Sequence, residues 1–128
     1  MSDAKNLRIA SRIVHAGQQT CPLTGAVATP IYQTSTFAFK DTDEGAARFG
    51  GTDPGYKYTR LGNPTVAALE ECVADLEGGC GAMAASTGMA AVHTVYFSLL
   101  GAGAHVVGTD ALYGASRMIL EKEYSRFG

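Results

Sequence analysis

The sequence predicts an incomplete α/β fold with a mainly parallel sheet, entered through a long amino-terminal extended arm. Three observations predict it. From Asn63 onward the apolar pattern alternates helix, strand, helix, strand, helix, the order of a parallel sheet with helical crossovers. Residues 1–60 hold three of the four prolines (Pro22, Pro30 and Pro54) among many Gly and Thr, and they lack that pattern. Two strand-to-helix turns, "STGM" and "TDALYG", lie where open α/β sheets bind ligands, beyond the carboxyl ends of strands.

Within residues 1–60 only "ATPIYQTSTFAF", Ala28 to Phe39, shows an apolar pattern, and it reads as extended. An arm of this kind buries little by itself, so a neighbouring subunit is the surface expected to cover it. "GNPTVAALEECVADLEGG" reads as a helix with legible ends. Asn63 suits the N-cap and Pro64 the first helical position. Val66, Leu69, Val73 and Leu76 recur at helical spacing, and Gly78 and Gly79 stop the helix. "CGAMAAS" reads as a short buried strand. "STGMAAVHTVYFSLLGAG" is a helix apolar nearly all round, hence buried. "AHVVGTD" reads as a second strand, and "LYGASRMILEKEYSRFG" as a turn and a third helix.

Composition narrows the classes. Hydrophobic residues make up 46% and charged residues 17%, a globular balance rather than a disordered one. A formal net charge of -2 argues against nucleic-acid binding. No apolar run is long enough to span a bilayer, and the first residues carry no apolar signal core, so the default location is cytoplasmic. Cys21, Cys72 and Cys80 form no CxxC, and His15, His93 and His105 are scattered. Neither a disulfide framework nor a metal site is indicated.

The stretch "GYKYTRLGNPT", Gly55 to Thr65, carries more than a turn needs. Tyr58 and Arg60 supply a phenol donor and a guanidinium fork, which suit an anion such as phosphate. Arg60 paired with a surface carboxylate is the plain alternative. The turn Ser86-Thr87-Gly88-Met89 offers backbone N–H groups at a helix start, with Gly88 allowing close approach of a phosphate. An ordinary helix capped by Ser86 or Thr87 would use the same residues. Tyr113, after a strand and before Gly114, suits stacking on a flat ligand or a plain turn.

Taken together, these stretches resemble the Cys/Met-metabolism family of pyridoxal-phosphate (PLP) enzymes, the trans-sulfuration group. The resemblance rests on "IVHAGQ" (Ile13–Gln18), "TGAVATPIYQTSTF" (Thr24–Phe37), "YKYTRLGNPT" (Tyr56–Thr65), "STGMAA" (Ser86–Ala91) and "LYG" (Leu112–Gly114), in order across most of the chain. Bacterial methionine γ-lyases look nearest. O-acetylhomoserine sulfhydrylases and cystathionine lyases and synthases are similar. The resemblance implies a fold type I, aminotransferase-like PLP domain of three α/β/α layers. Residues 1–60 would be an arm on the neighbouring subunit, and 61–128 the first part of the PLP domain. It implies that Tyr58 and Arg60 reach the PLP phosphate of the neighbouring subunit. Ser86, Gly88 and Met89 would hold the phosphate in their own subunit. Tyr113 would stack on the pyridine ring and assist departure of the sulfur, a role that needs a phenol pKa below the ordinary value of about 10. A homotetramer built from dimers is the family's assembly.

Two departures qualify this. Ala115 stands where methionine γ-lyases carry a cysteine. That leaves both γ-elimination and γ-replacement on a sulfur amino acid open. None of Lys5, Lys40, Lys57 and Lys122 matches the family's catalytic lysine, which lies downstream of Gly128. The chain is therefore expected to be the amino-terminal portion of a longer enzyme, inactive and not independently stable alone. A catalytically inactive assembly partner that completes another chain's site is the second reading. A generic phosphate-binding α/β domain is the third.

Overall fold

The computed structural model describes residues 7–128. They divide into two compact units, one ending at Met83 and the other running Ala84–Gly128. The first carries α1 (Ile9–His15), α2 (Thr42–Gly50) and α3 (Pro64–Glu77).

The ends of α3 are those the sequence announces. Asn63 Oδ1 accepts from the Thr65 N–H at 2.9 Å, Pro64 opens the helix, and Gly78 closes it at φ 67°. The end of α1 packs on α3 through Gly17. Its φ is +71°, and a Cβ there would stand 2.0 Å from the Ala68 carbonyl oxygen. Only glycine meets both demands. Arg12 adds an ion pair to Asp75, Nε to Oδ2 at 2.8 Å, and a second hydrogen bond to the Asp75 carbonyl. Ala16 and Cys21 are buried beside this junction.

Residues 42–50 read as irregular in the sequence, yet they form α2. The cause is local. Asp41 accepts from the Glu44 N–H at 2.8 Å, Asp43 and Glu44 lie in the first turn, and Gly51 ends the helix at φ 77°. The short α1 has no side-chain cap, which is why no start signal marks it.

The second unit carries α4 (Gly88–Leu99) and α5 (Gly114–Met118). The latter widens into a π-helical turn at Ile119–Glu123 and tightens into a 3₁₀ turn at Tyr124–Phe127. Thr87 caps α4 by accepting from the Ala90 N–H at 3.0 Å. The Tyr124 hydroxyl meets His93 Nδ1 at 3.0 Å, and its ring lies edge-on to Tyr96 at 5.8 Å.

No strand forms among the described residues, which corrects the sequence expectation. Cys80–Ser86 and Ala104–Asp110, predicted as strands, are irregular, and Ala28–Phe39 contributes only a single antiparallel bridge, Thr36 to Tyr58. A strand is held by hydrogen bonds to a neighbour. Neither of the two segments takes the other as partner, so no ladder forms.

Burial is correspondingly thin. The helix α4 is apolar, as predicted, but it has no buried residue; Phe97 is 74% and Leu99 77% exposed. The accessible surface is 10028 Å², whereas a folded monomer of this mass exposes about 6,500 Å². Among the described residues no side chain is fully buried.

Candidate functional site

The loop bearing Tyr58 and Arg60 is fixed from both sides. Upstream, the Phe37 N–H donates to the Lys57 carbonyl at 3.2 Å and the Thr59 N–H to the Ser35 carbonyl at 2.9 Å. These bonds build the Thr36–Tyr58 bridge. Downstream, the buried Asn63 donates to the Tyr32 carbonyl at 2.8 Å and to Thr59 Oγ1 at 3.1 Å. Thr65 completes the clasp. Its hydroxyl donates to the Pro30 carbonyl at 2.8 Å and accepts from the Tyr32 N–H at 2.9 Å. The "NPT" run is therefore both a helix start and the fastening of residues 30–36.

Tyr58 and Arg60 come together on this frame. The Arg60 guanidinium lies over the Tyr58 ring, 5.2 Å from its centroid. No carboxylate pairs with Arg60 among the described residues, which sets aside the plain surface ion pair. Both side chains are exposed and line a cleft of about 320 Å³ with Phe37, Phe49 and Lys57. A phenol donor and an unpaired fork cation on one cleft wall are a donor set for an oxyanion.

In the other unit, Ser86 precedes the helix and Thr87, not Ser86, is the N-cap. The Ala90 N–H is taken by Thr87. The Gly88 and Met89 N–H groups belong to the first turn, which has no intrahelical acceptors. A Cβ at Gly88 would meet nothing within 4 Å, so the approach to those donors is open. The Ser116 hydroxyl reaches Met89 Sδ at 3.7 Å. This contact sets the start of α5, immediately after Tyr113, beside the first turn of α4. Tyr113 itself is 72% exposed. Taken by itself, the phenol and fork cation of the first unit suit a phosphate; taken by itself, the second unit offers first-turn amides that suit a phosphate and an exposed Tyr113 ring that suits a planar ring, so the chemistry of each donor set fits a part of PLP.

The sequence matches the family described as Cys/Met metabolism PLP-dependent enzyme over residues 10–128. The chain belongs to that family. It is 46% identical over 126 residues to the L-methionine gamma-lyase of Treponema denticola, an alignment covering 98% of this chain and 31% of that protein. It is also 46% identical over 122 residues to the cystathionine beta-lyase of Coxiella burnetii, covering 95% of this chain and 29% of the relative. Among solved structures it resembles metB from Corynebacterium glutamicum, with a TM-score of 0.87 and 34% identity over 98% of this chain and 31% of the other. The chain spans about a third of the length of the curated relatives it matches. PLP is the cofactor of this Cys/Met-metabolism family.

Two features of the site were not singled out from sequence. Arg48 donates to the Tyr56 carbonyl at 2.8 Å and pairs with Asp53 at 3.3 Å and with Glu44. Asp53 in turn accepts from the Gly55 N–H at 2.7 Å, and this bond, with Arg48, holds its carboxyl below the usual range. The signal available was "RFGGTDPGY", an arginine and an aspartate flanking two glycines. Among the described residues, no group of three or more His, Cys, Asp or Glu gathers at one place, and no helix is long and apolar enough to cross a membrane.

Proposed function

We propose that this chain supplies the amino-terminal arm and the first part of the cofactor domain of a PLP-dependent carbon–sulfur lyase of sulfur amino acid metabolism. The reaction is γ-elimination on methionine or a homoserine-derived substrate, giving a 2-oxo acid, ammonia and a thiol. The observation that carries the reading is the Tyr58–Arg60 pair. It is an arginine fork stacked on a phenol, without a carboxylate partner among the described residues, on a main chain fastened by Asn63 and Thr36.

PLP, when bound, supplies an electron sink for carbanions at the substrate carbons. The residues of this chain bind and orient. Tyr58 and Arg60 donate to the phosphate of the neighbouring subunit's cofactor, and the Gly88 and Met89 amides, with Ser86, hold the phosphate in their own subunit. Two donor sets on one dianion couple cofactor binding to assembly. With PLP bound, Tyr113 would stack on its ring and hold or move a proton for the departing sulfur. Residues 1–60 lie on the neighbouring subunit, residues 61–128 begin the PLP domain, and the assembly is a dimer of dimers in the cytoplasm. The lysine that holds the cofactor covalently lies outside these residues.

Ala115, in place of the cysteine expected of methionine γ-lyases, weakens the methionine-specific reading and leaves a second one beside it. In that reading a thiol adds where elimination would release product, giving a γ-replacement transferase.

The deciding experiment incubates the assembled enzyme that contains these residues with PLP, reduces with borohydride and maps the modified lysine. Methionine, cystathionine and O-acetylhomoserine are then offered with and without a thiol. A mapped PLP–lysine adduct with release of 2-oxo acid supports the lyase. A thioether product supports the transferase. PLP that washes away, with neither product, overturns both and leaves an assembly role.

A further inference from the structure

Resting on the phosphate reading of Tyr58 and Arg60, we propose that Arg48 is their positioning residue. Residues 51–57, between the end of α2 and the bridge at Tyr58, form neither helix nor strand. The Ala47 carbonyl holds its start, accepting from the Thr52 and Asp53 N–H groups, and Arg48 ties down the rest. Its side chain is 17% exposed; Nη1 donates to the Tyr56 carbonyl at 2.8 Å, and Nε pairs with Asp53 Oδ2 at 3.3 Å. Its own carbonyl accepts from Lys57 Nζ at 2.5 Å. One arginine therefore grips residues 53, 56 and 57, the last of them next to Tyr58.

Gly55 fits this reading. A Cβ on it would stand 2.4 Å from Arg48 Nε, so the main chain lies flat against the guanidinium only because residue 55 has no side chain. The charges are also divided in a telling way. Arg48 is neutralised internally by Glu44 and Asp53, whereas Arg60, among the described residues, has the Tyr58 ring and no carboxylate. The paired arginine fixes the frame, and the unpaired one faces the anion. Arg48 also lies over the Phe39 ring, 5.7 Å from its centroid, and Phe39 lines the same cleft as Tyr58 and Arg60.

Arg48 touches no phosphate in this scheme; its partners are the carboxylates of Glu44 and Asp53. Its loss shifts the donors of the following loop, and a donor set that is displaced loses phosphate selectivity before it loses ring binding. The test uses the full chain and equilibrium dialysis against PLP and against pyridoxal, which lacks the phosphate. Arg48→Met is expected to weaken PLP about tenfold while pyridoxal changes less than about twofold. Arg48→Lys keeps the charge and restores part of the preference. Gly55→Ala displaces the guanidinium without removing it and lowers the same ratio. The double variant is no worse than Arg48→Met alone, because both changes act through one contact. Equal loss of PLP and pyridoxal, or an unchanged ratio, overturns the proposal. If Arg48→Met does not fold, the Gly55→Ala ratio decides. Arg60→Ala separates the two levels. A normal PLP preference in that variant sinks the phosphate reading itself. A lost preference there, with Gly55→Ala and Arg48→Met both normal, sinks only the role of Arg48.

Discussion

The side-chain amide of Asn63 donates to the carbonyl of Tyr32 at 2.8 Å, across thirty-one positions of sequence. The same side chain caps α3 through its oxygen and holds Thr59 through its nitrogen. One buried residue thus joins a helix start, the segment before the Thr36 bridge and the loop of Tyr58 and Arg60.

Asn63→Ala removes the cap and the two part-buried hydrogen bonds its amide donates, to the Tyr32 carbonyl and to Thr59 Oγ1. A destabilisation of about 3 kcal/mol is expected, from about 1 for the cap and about 1–3 for the unsatisfied groups. Asn63→Asp keeps the acceptor and loses the donors, so it should fall between. Denaturant melts of the three proteins check the order; an Asp variant weaker than the Ala variant contradicts it.

Gly17→Ala sets a Cβ 2.0 Å from a backbone oxygen at φ +71°. Neither the rigid oxygen nor the left-handed backbone yields cheaply, so a loss above about 2 kcal/mol is expected. Gly25→Ala is the control. It shares φ +71°, but its Cβ would meet nothing within 4 Å, so it should lose only about 1 kcal/mol from the backbone term. Equal melting shifts for the two would rule out the α1–α3 contact as the cause.

Acid stability should depend on Asp53. The Gly55 N–H first, then Arg48, hold its folded pKa below the unfolded value. A group shifted this way stabilises the fold above its unfolded pKa of about 4 and loses that effect as pH falls through the folded value. Asp53→Asn should therefore be less stable than the parent at neutral pH, with the gap closing only in that acidic window. Stability measured across pH 2–7 reads this out, and a gap independent of pH would assign the loss to shape instead.

The 128 residues by themselves should bind a hydrophobic dye and melt without a sharp transition, so the stability measurements above are made on these residues within the assembled enzyme proposed. Phe97, Leu99 and Val107 are 74%, 77% and 88% exposed, and a patch of that kind needs a cover. Sedimentation as a monomer with one cooperative melt would reject the expectation.

How much of this was legible in the sequence differs by element. The starts of α3 and α4 were readable because Asn63–Pro64 and Thr87–Gly88 carry their caps within the segment itself. The helix α2 was missed because it is short and holds few large apolar residues, although Asp41 and the acidic first turn were present as signals. The strands failed for another reason. A cap is a local bond, but a strand exists only through a partner, and the apolar character of Ala104–Asp110 says what it would bury without saying against what. The residues of the candidate site were individually readable as phenol, guanidinium and glycine. Arg48 was not, because its role depends on a main-chain carbonyl eight positions away.

The π-helical turn at Ile119–Glu123 makes chain length a determinant in its own right. Such a turn holds one residue more than an α-helical turn would over the same span. Deleting one residue between 119 and 123 would close the turn to an ordinary α-helical one over the same span and leave Tyr124 facing His93 and Tyr96. Inserting one more would swing Tyr124 by about 100° away from both. Divergence of the family here should therefore tolerate loss of one residue better than a further gain.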